Sequence, residues 1–111
     1  MQIKVEELEF NVIKISLSGR FDAEGVGEIR GEFTNALQVE DKLVVVEMSG
    51  VELLASSGIR LLLAGAKVLS ANRGKLVVAA APSHVEYPMI VSGVDTVIPI
   101  FRTVEKALTA L

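Results

Sequence analysis

Two apolar runs with a helical pattern between them constrain the fold of this chain more than any other feature. Leu43–Met48 and Leu76–Ala81 are almost continuously apolar, which is typical of parallel strands covered on both faces by helices. Between them, apolar residues recur at helical spacing from Ile59 to Asn72, and Gly74 follows in the usual position of a helix terminator. Strand, helix and strand in this order predict a βαβ unit with a right-handed crossover.

The residues before this unit extend it to a small mixed sheet. A period of two over residues 12–18 predicts a strand with one covered face, and a more exposed strand precedes it near residues 3–7. Asp22 is the predicted N-cap of a helix that runs to Leu37. We therefore predict one α/β domain over residues 1–111, with a central βαβ unit and helices mainly on one side of the sheet.

The C-terminal third of the chain has a less regular pattern. Ser83–Ser92 has the length of a short helix, but Pro88 in its middle predicts a break, a kink or a late helix start. Val97–Phe101 predicts a short edge strand. Thr103 is the predicted cap of a final amphipathic helix over Val104–Leu111.

Composition excludes most catalytic chemistry. The chain has no cysteine, which excludes disulfides, thiolate metal sites and cysteine nucleophiles. His84 is the only histidine, which excludes a multi-histidine metal site, and it is more readily a loop or helix-start residue than a catalytic base. We predict no catalytic residue, no cofactor and no metal site, so the chain is not expected to be an enzyme.

Charge and hydropathy restrict the partners and the compartment. The net charge is −3 and the 11 Lys and Arg residues are scattered, which leaves no basic footprint for nucleic acid. The apolar stretches are too short to cross a bilayer, and the N-terminus lacks the apolar core of a signal peptide. The sequence therefore predicts a cytoplasmic protein that binds no nucleic acid and does not insert into a membrane.

The junction Ser56-Ser57-Gly58 is the one candidate site for chemistry. It joins a predicted buried strand to a predicted helix, where the first helical N–H groups have no partner within the helix. The same helix end carries partial positive charge, which favours an added phosphate. On these residues alone, phosphorylation and plain helix capping both remain open. Ser56 is the candidate acceptor, and Ser57 is the alternative acceptor or a capping residue.

The helix after this junction carries two apolar stripes, and one of them must cover the sheet. The second stripe, which starts one turn after the serine pair, either packs against a neighbouring helix or forms a patch for a partner. Its nearness to the serines favours the patch. We predict one partner-binding surface made of Asp22, Ala55, Ser56, Ser57, Gly58, Leu61, Ala64 and Val68.

Residues 44–62 carry a specific motif. An apolar strand is followed by Glu47, by the step Ser49-Gly50-Val51 and by the junction Ala55-Ser56-Ser57-Gly58. This order resembles the central motif of the STAS domain family, which is named for sulfate transporters and anti-sigma factor antagonists. Gly19-Arg20-Phe21-Asp22 is similar to the family's step into its first helix, and the likeness extends over essentially the whole chain.

The resemblance implies a bacterial anti-sigma factor antagonist that regulates transcription by partner switching. In that mechanism the unphosphorylated protein binds an anti-sigma factor and so frees a sigma factor. The anti-sigma factor is also a serine kinase of the histidine-kinase-like ATPase type, and its phosphorylation of Ser56 releases the complex. A PP2C-type phosphatase reverses the modification. A weak homodimer is also left open.

Two residues depart from the family pattern. Ala55 stands where the family typically has Asp, and Pro88 lies where a plain amphipathic helix is more usual. The missing carboxylate leaves two alternatives open. One is a scaffold subunit of a stressosome-like STAS assembly. The other is a STAS accessory subunit of a membrane transporter, including lipid-transport ABC systems in which the domain docks on a cytoplasmic ATPase.

Overall fold

The computed structural model describes residues 1–110, and its strands form one mixed sheet in the order β1-β2-β3-β4-β5. β1 and β2 are antiparallel, while every other neighbouring pair is parallel. The predicted mixed sheet is confirmed. The strands are β1 (Gln2–Leu8), β2 (Val12–Phe21), β3 (Leu43–Leu54), β4 (Lys75–Ala79) and β5 (Ile100–Phe101).

The helices are distributed unequally over the two faces of this sheet. Buried residues of the first three helices share one core with the first face of the sheet, and the fourth helix packs on the second face through Ala107. Helices mainly on one side were predicted, and this is confirmed. The helices are α1 (Ala23–Ala36), α2 (Ser56–Ala71), α3 (Ser83–Val91) and α4 (Val104–Thr109), with a 3₁₀ turn at Val94–Thr96.

The central βαβ unit is β3-α2-β4. Val45 and Val77 are directly paired across β3 and β4, and both are fully buried between the two helical layers. Thr103 accepts a hydrogen bond from the Lys106 N–H, which confirms the predicted cap of α4. The predicted end of that helix, Leu111, lies outside the described residues.

Strand β3 is longer than predicted, because it continues past Met48 to Leu54. The register between β2 and β3 shifts twice along this extension, so the Ser49-Gly50-Val51 step lies inside a bulged strand. Gly50 permits the close approach, since a Cβ there would lie 2.8 Å from the Ser18 Cβ. The extension carries the chain to the edge of the sheet at which α2 begins.

Pro88 does not break α3, which runs without interruption from Ser83 to Val91. Pro88 has no N–H group, so the carbonyl of His84, four residues earlier, loses its usual helical donor. His84 is exposed in the first turn, so water can bind this carbonyl instead. Val85 and Met89 anchor the helix in the core. The predicted edge strand is also shorter than expected, because the 3₁₀ turn precedes it and only Ile100–Phe101 pair with β4.

Candidate functional site

Three helices begin at the carboxyl edge of the parallel strands. α1 starts directly after β2 with Asp22 as its N-cap, and α2 starts directly after β3 with Ala55 as its N-cap. α3 follows β4 after a short loop and begins at Ser83, with Pro82 as its N-cap. Because the carboxyl ends of parallel strands meet at one edge of a sheet, the sequence-predicted residues Asp22 and Ser56 come to lie at the same edge.

Backbone contacts with Phe21 fix the first turn of α2 beside the start of α1. The Ala55 N–H donates to the Phe21 carbonyl with an N···O distance of 3.0 Å. Gly58 packs on the same residue, since a Cβ there would lie 2.8 Å from both the Phe21 carbonyl oxygen and its Cγ. Gly58 is therefore buried, and its predicted place in the exposed partner surface is wrong, because its role is to let α2 approach Phe21.

Asp22 caps α1 as predicted. One carboxylate oxygen accepts from the Gly25 N–H at 2.9 Å, and the other accepts from the Arg20 guanidinium at 3.2 Å. The Gly25 N–H is the main cause that lowers the pKa of Asp22 below its ordinary value. Arg20 lowers the pKa further, and partial burial opposes both effects. A carboxylate therefore stands at this edge at neutral pH.

Asp22→Asn is expected to lower stability at neutral pH and to lose that effect in acid. The folded-state pKa is depressed, so the stability that the charged cap contributes is present above the unfolded pKa, about 3.9. It is lost as pH falls through the lower, folded pKa. Urea unfolding of both proteins at about pH 7 and about pH 2.5 measures the difference. A gap of equal size at both pH values would contradict the role of the charge.

Ser56 and Ser57 are the first two residues of α2, and neither is its cap. Ala55 holds the cap position and has no side-chain acceptor, so the capping role considered for Ser57 is wrong. Within residues 1–110, the N–H groups of Ser56 and Ser57 have no hydrogen-bond partner. Ser56 is exposed and Ser57 is half-buried. The result is an open hydroxyl beside two free donors at a positively polarised helix end.

The outward face of α2 starts at Ser56 and continues through Arg60, Lys67 and Ser70. These four outward residues are all exposed. They recur at helical spacing, on the side of the helix opposite to the buried residues Gly58, Leu62, Gly65 and Leu69. Neither Arg60 nor Lys67 forms an ion pair within the part of the chain that the structure describes. A partner that approaches Ser56 from outside therefore meets two free cationic side chains on the same line.

The second apolar stripe of α2 is partly packed against a neighbouring helix and partly open to a partner. Ala64 is exposed, while Leu61 and Val68 are half-buried because α1 packs alongside α2 and covers their flank. They line a narrow cleft between the two helices, with a volume of about 90 Å³. Phe33 and Leu37 of α1 form the opposite wall. Of this stripe, only Ala64 is exposed.

Sequence reasoning missed an exposed apolar face on α3. Tyr87, Ile90 and Val91 are exposed on the outward side of this helix. The signal was available, because Glu86 is the only charged residue between Val85 and Val91, so the helix has no polar face to turn outward. This face is a further candidate contact for a partner.

His84, the only histidine, contacts the backbone at the end of β3. The His84 ring nitrogen Nε2 lies 2.9 Å from the Glu52 carbonyl oxygen, so the histidine ties the start of α3 to the extended end of β3.

Across residues 1–110, no group of three or more acidic, histidine or cysteine side chains is placed to hold a metal ion. Within the same residues, no helix has both the length and the apolar character needed to span a bilayer.

Comparison with known proteins gives consistent matches. A family model described as Mlab, STAS domain matches residues 5–102. An anti-sigma factor antagonist from Mycobacterium paratuberculosis is 27% identical, with a TM-score of 0.88 over 98% of this chain and 92% of the other. An anti-sigma-factor antagonist (STAS) domain protein from Planctomyces limnophilus is 28% identical, with a TM-score of 0.87 over 97% and 96%.

More distant structures share the fold alone. The STAS domain of a SulP transporter from Vibrio cholerae is 16% identical and has a TM-score of 0.73, over 94% of this chain and 83% of the other. No curated protein sequence matches the chain. The matches therefore include regulatory proteins as well as a domain of a membrane transporter.

Proposed function

This chain belongs to the STAS domain family, and from that premise we propose that it is an anti-sigma factor antagonist that acts by partner switching. In its unphosphorylated form it binds an anti-sigma factor and so frees a sigma factor in the cytoplasm. The same anti-sigma factor, acting as a serine kinase of the histidine-kinase-like ATPase type, phosphorylates Ser56 and leaves the complex. A PP2C-type phosphatase restores the binding form. The protein itself is a binding module and not an enzyme.

The observation that carries this proposal is the exposed Ser56 hydroxyl beside unpaired N–H groups at the start of α2. A kinase can reach this hydroxyl without unfolding the chain. The phosphate that results can bind the free donors and gains about 0.3–1 kcal/mol from the helix dipole, or up to about 2 kcal/mol in a favourable geometry. The free protein therefore tolerates the modification.

The same phosphate is unfavourable in an interface. It adds about −1.5 to −2 charges, and desolvating an unpaired ion costs several kcal/mol. A partner that covers Ser56 loses its binding energy when the phosphate is added. The two effects together describe a switch: the modification is neutral for the fold and unfavourable for the complex.

Intact-mass spectrometry with the cognate anti-sigma kinase and ATP tests the proposal. We expect one added phosphate on the wild type and none on Ser56→Ala, while Ser56→Ala still binds the kinase and is not released by ATP. Ser57→Ala is the matched control and is expected to accept the phosphate normally. Modification of Ser57 instead, or no modification beside a bound and active kinase, would contradict the assignment.

Ala55 favours one second candidate, a STAS accessory subunit of a membrane transporter that docks on a cytoplasmic ATPase. The side chain at this position supplies neither a cap nor a charge to the first turn of α2, and the Asp typical of the switch motif is missing. Capture of partners from the native host discriminates the candidates. An anti-sigma kinase supports partner switching, whereas a transporter ATPase supports this alternative, and further STAS subunits would support a stressosome-like scaffold.

A further inference from the structure

The loop between β1 and β2 holds an aromatic side chain in an unusual state. Phe10 is 92% exposed, and its φ angle of 61° lies in the left-handed region. Asn11, which follows it, has a φ of 62°. Asparagine is commonly found in this region, whereas for a bulky residue it is a genuine outlier. Positive φ angles at two consecutive residues are typical of a tight hairpin turn, and this turn between β1 and β2 holds the Phe10 ring out in solvent.

An apolar cleft lies directly beside this ring. Its volume is about 480 Å³, and its apolar walls come from Leu8, Val12, Leu43 and Leu108, with Glu9 and Phe10 at its rim. Leu8 and Leu108 are themselves exposed. The cleft forms where the short helix α4 stops on the second face of the sheet, at the edge opposite to Ser56. The surface thus carries both an aromatic knob and an apolar hole that a benzyl group fits.

Two opposite charges flank the same loop. Glu9 is exposed on one side, and on the other side the Lys42 ammonium lies 3.4 Å from the Asn11 Oδ1 atom, to which it donates. Within residues 1–110 neither charge takes part in an ion pair. One patch therefore presents a knob, a hole, an anion and a cation, and each of these has its complement on the same patch.

We propose that this patch binds a second copy of the chain through a two-fold axis. Each Phe10 enters the cleft of the other copy, and each Glu9 pairs with the Lys42 of the other copy. A two-fold contact uses one surface twice, so it requires a self-complementary patch of this kind. A stable interface buries about 800 Å² on each partner, and one loop with the end of α4 offers less, so the dimer is weak and depends on concentration.

This dimer does not depend on the proposed function, because it uses the opposite edge of the sheet. Ser56, at the start of α2, stays open in both copies. The dimer therefore presents two switch sites that point away from each other.

Phe10→Asn tests the proposal with two readouts that move in opposite directions. Asparagine suits a left-handed φ, so the variant is expected to melt at a higher temperature in dilute solution. The variant also lacks the projecting ring. Sedimentation velocity at concentrations up to about 1 mM is therefore expected to show a dimer for the wild type and none for Phe10→Asn. Tyr87→Asn, which removes an exposed aromatic ring from α3, is the matched control and is expected to leave the dimer unchanged.

A charge exchange adds an independent test of the pairing. Glu9→Lys alone and Lys42→Glu alone are each expected to weaken the dimer, and the double variant is expected to restore it. A wild type that stays monomeric at every concentration would overturn the proposal, as would a dimer that survives Phe10→Asn. Binding of a monomeric wild type to vesicles of anionic phospholipid, lost in Phe10→Asn, would assign the patch to a membrane and also overturn it.

Discussion

Ser56→Glu is expected to weaken binding of the anti-sigma factor by a factor of about 100 or more. The variant places a carboxylate on the first residue of α2, where a covering partner must strip it of water. An unpaired ion costs several kcal/mol to desolvate, and each 1.4 kcal/mol is about tenfold in affinity. The melting temperature is expected to stay near that of the wild type, because an anion is favourable at a helix N-terminus.

Ser70→Glu is the matched control for this prediction. Ser70 is exposed on the same outward line of α2, near the other end of the helix, so the variant adds the same charge to the same face. Titration calorimetry against the anti-sigma factor is expected to show near wild-type affinity for Ser70→Glu and for Ser56→Ala. Equal loss in Ser56→Glu and Ser70→Glu would indicate general charge repulsion rather than a switch at Ser56. Unchanged binding of Ser56→Glu would place the partner elsewhere on the molecule.

Gly25→Ala is expected to destabilise the fold by about 3 kcal/mol or more. A Cβ at this position would lie 2.0 Å from the Arg20 carbonyl oxygen, a backbone atom that cannot rotate away. The Gly25 N–H is also the donor to the Asp22 cap, so any shift of the backbone weakens the start of α1. Urea unfolding measures the change directly.

Gly27→Ala in the same helix is the matched control and is expected to have the opposite sign. Gly27 is exposed, and a Cβ at this position would have no other atom within 4 Å beyond its own helix backbone and chain neighbours. Alanine is favoured over glycine in a helix by about 0.5–1 kcal/mol, so this variant is expected to be more stable than the wild type. If both variants lost stability equally, the close contact with Arg20 would not be the cause.

Local patterns were sufficient for most of the fold. The apolar runs of β3 and β4 and the helical period between them depend only on neighbouring residues, and they identified the βαβ unit correctly. The Asp22 cap follows from a residue type at a helix start, and Asp22 does bind the Gly25 N–H. Both depend on contacts that are close in sequence, which single-sequence reasoning handles well.

The errors at the candidate site depend on contacts that are distant in sequence. The burial of Gly58 follows from Phe21, which only the pairing of β2 with β3 brings beneath it. The half-burial of Leu61 depends on where α1 packs against α2. The extension of β3 depends on bulges in its pairing with β2, and a bulge has no signature within one strand. In each case the deciding neighbour lies on another element.

The division of α2 into a buried line and an outward line has a consequence for which positions of this helix can change without loss of stability. Positions 58, 62, 65 and 69 are buried, whereas positions 56, 60, 67 and 70 are exposed. Exposed substitutions away from special features usually change stability by no more than about 0.5 kcal/mol. Substitutions along the outward line can therefore change what this helix presents to a partner while the fold keeps its stability.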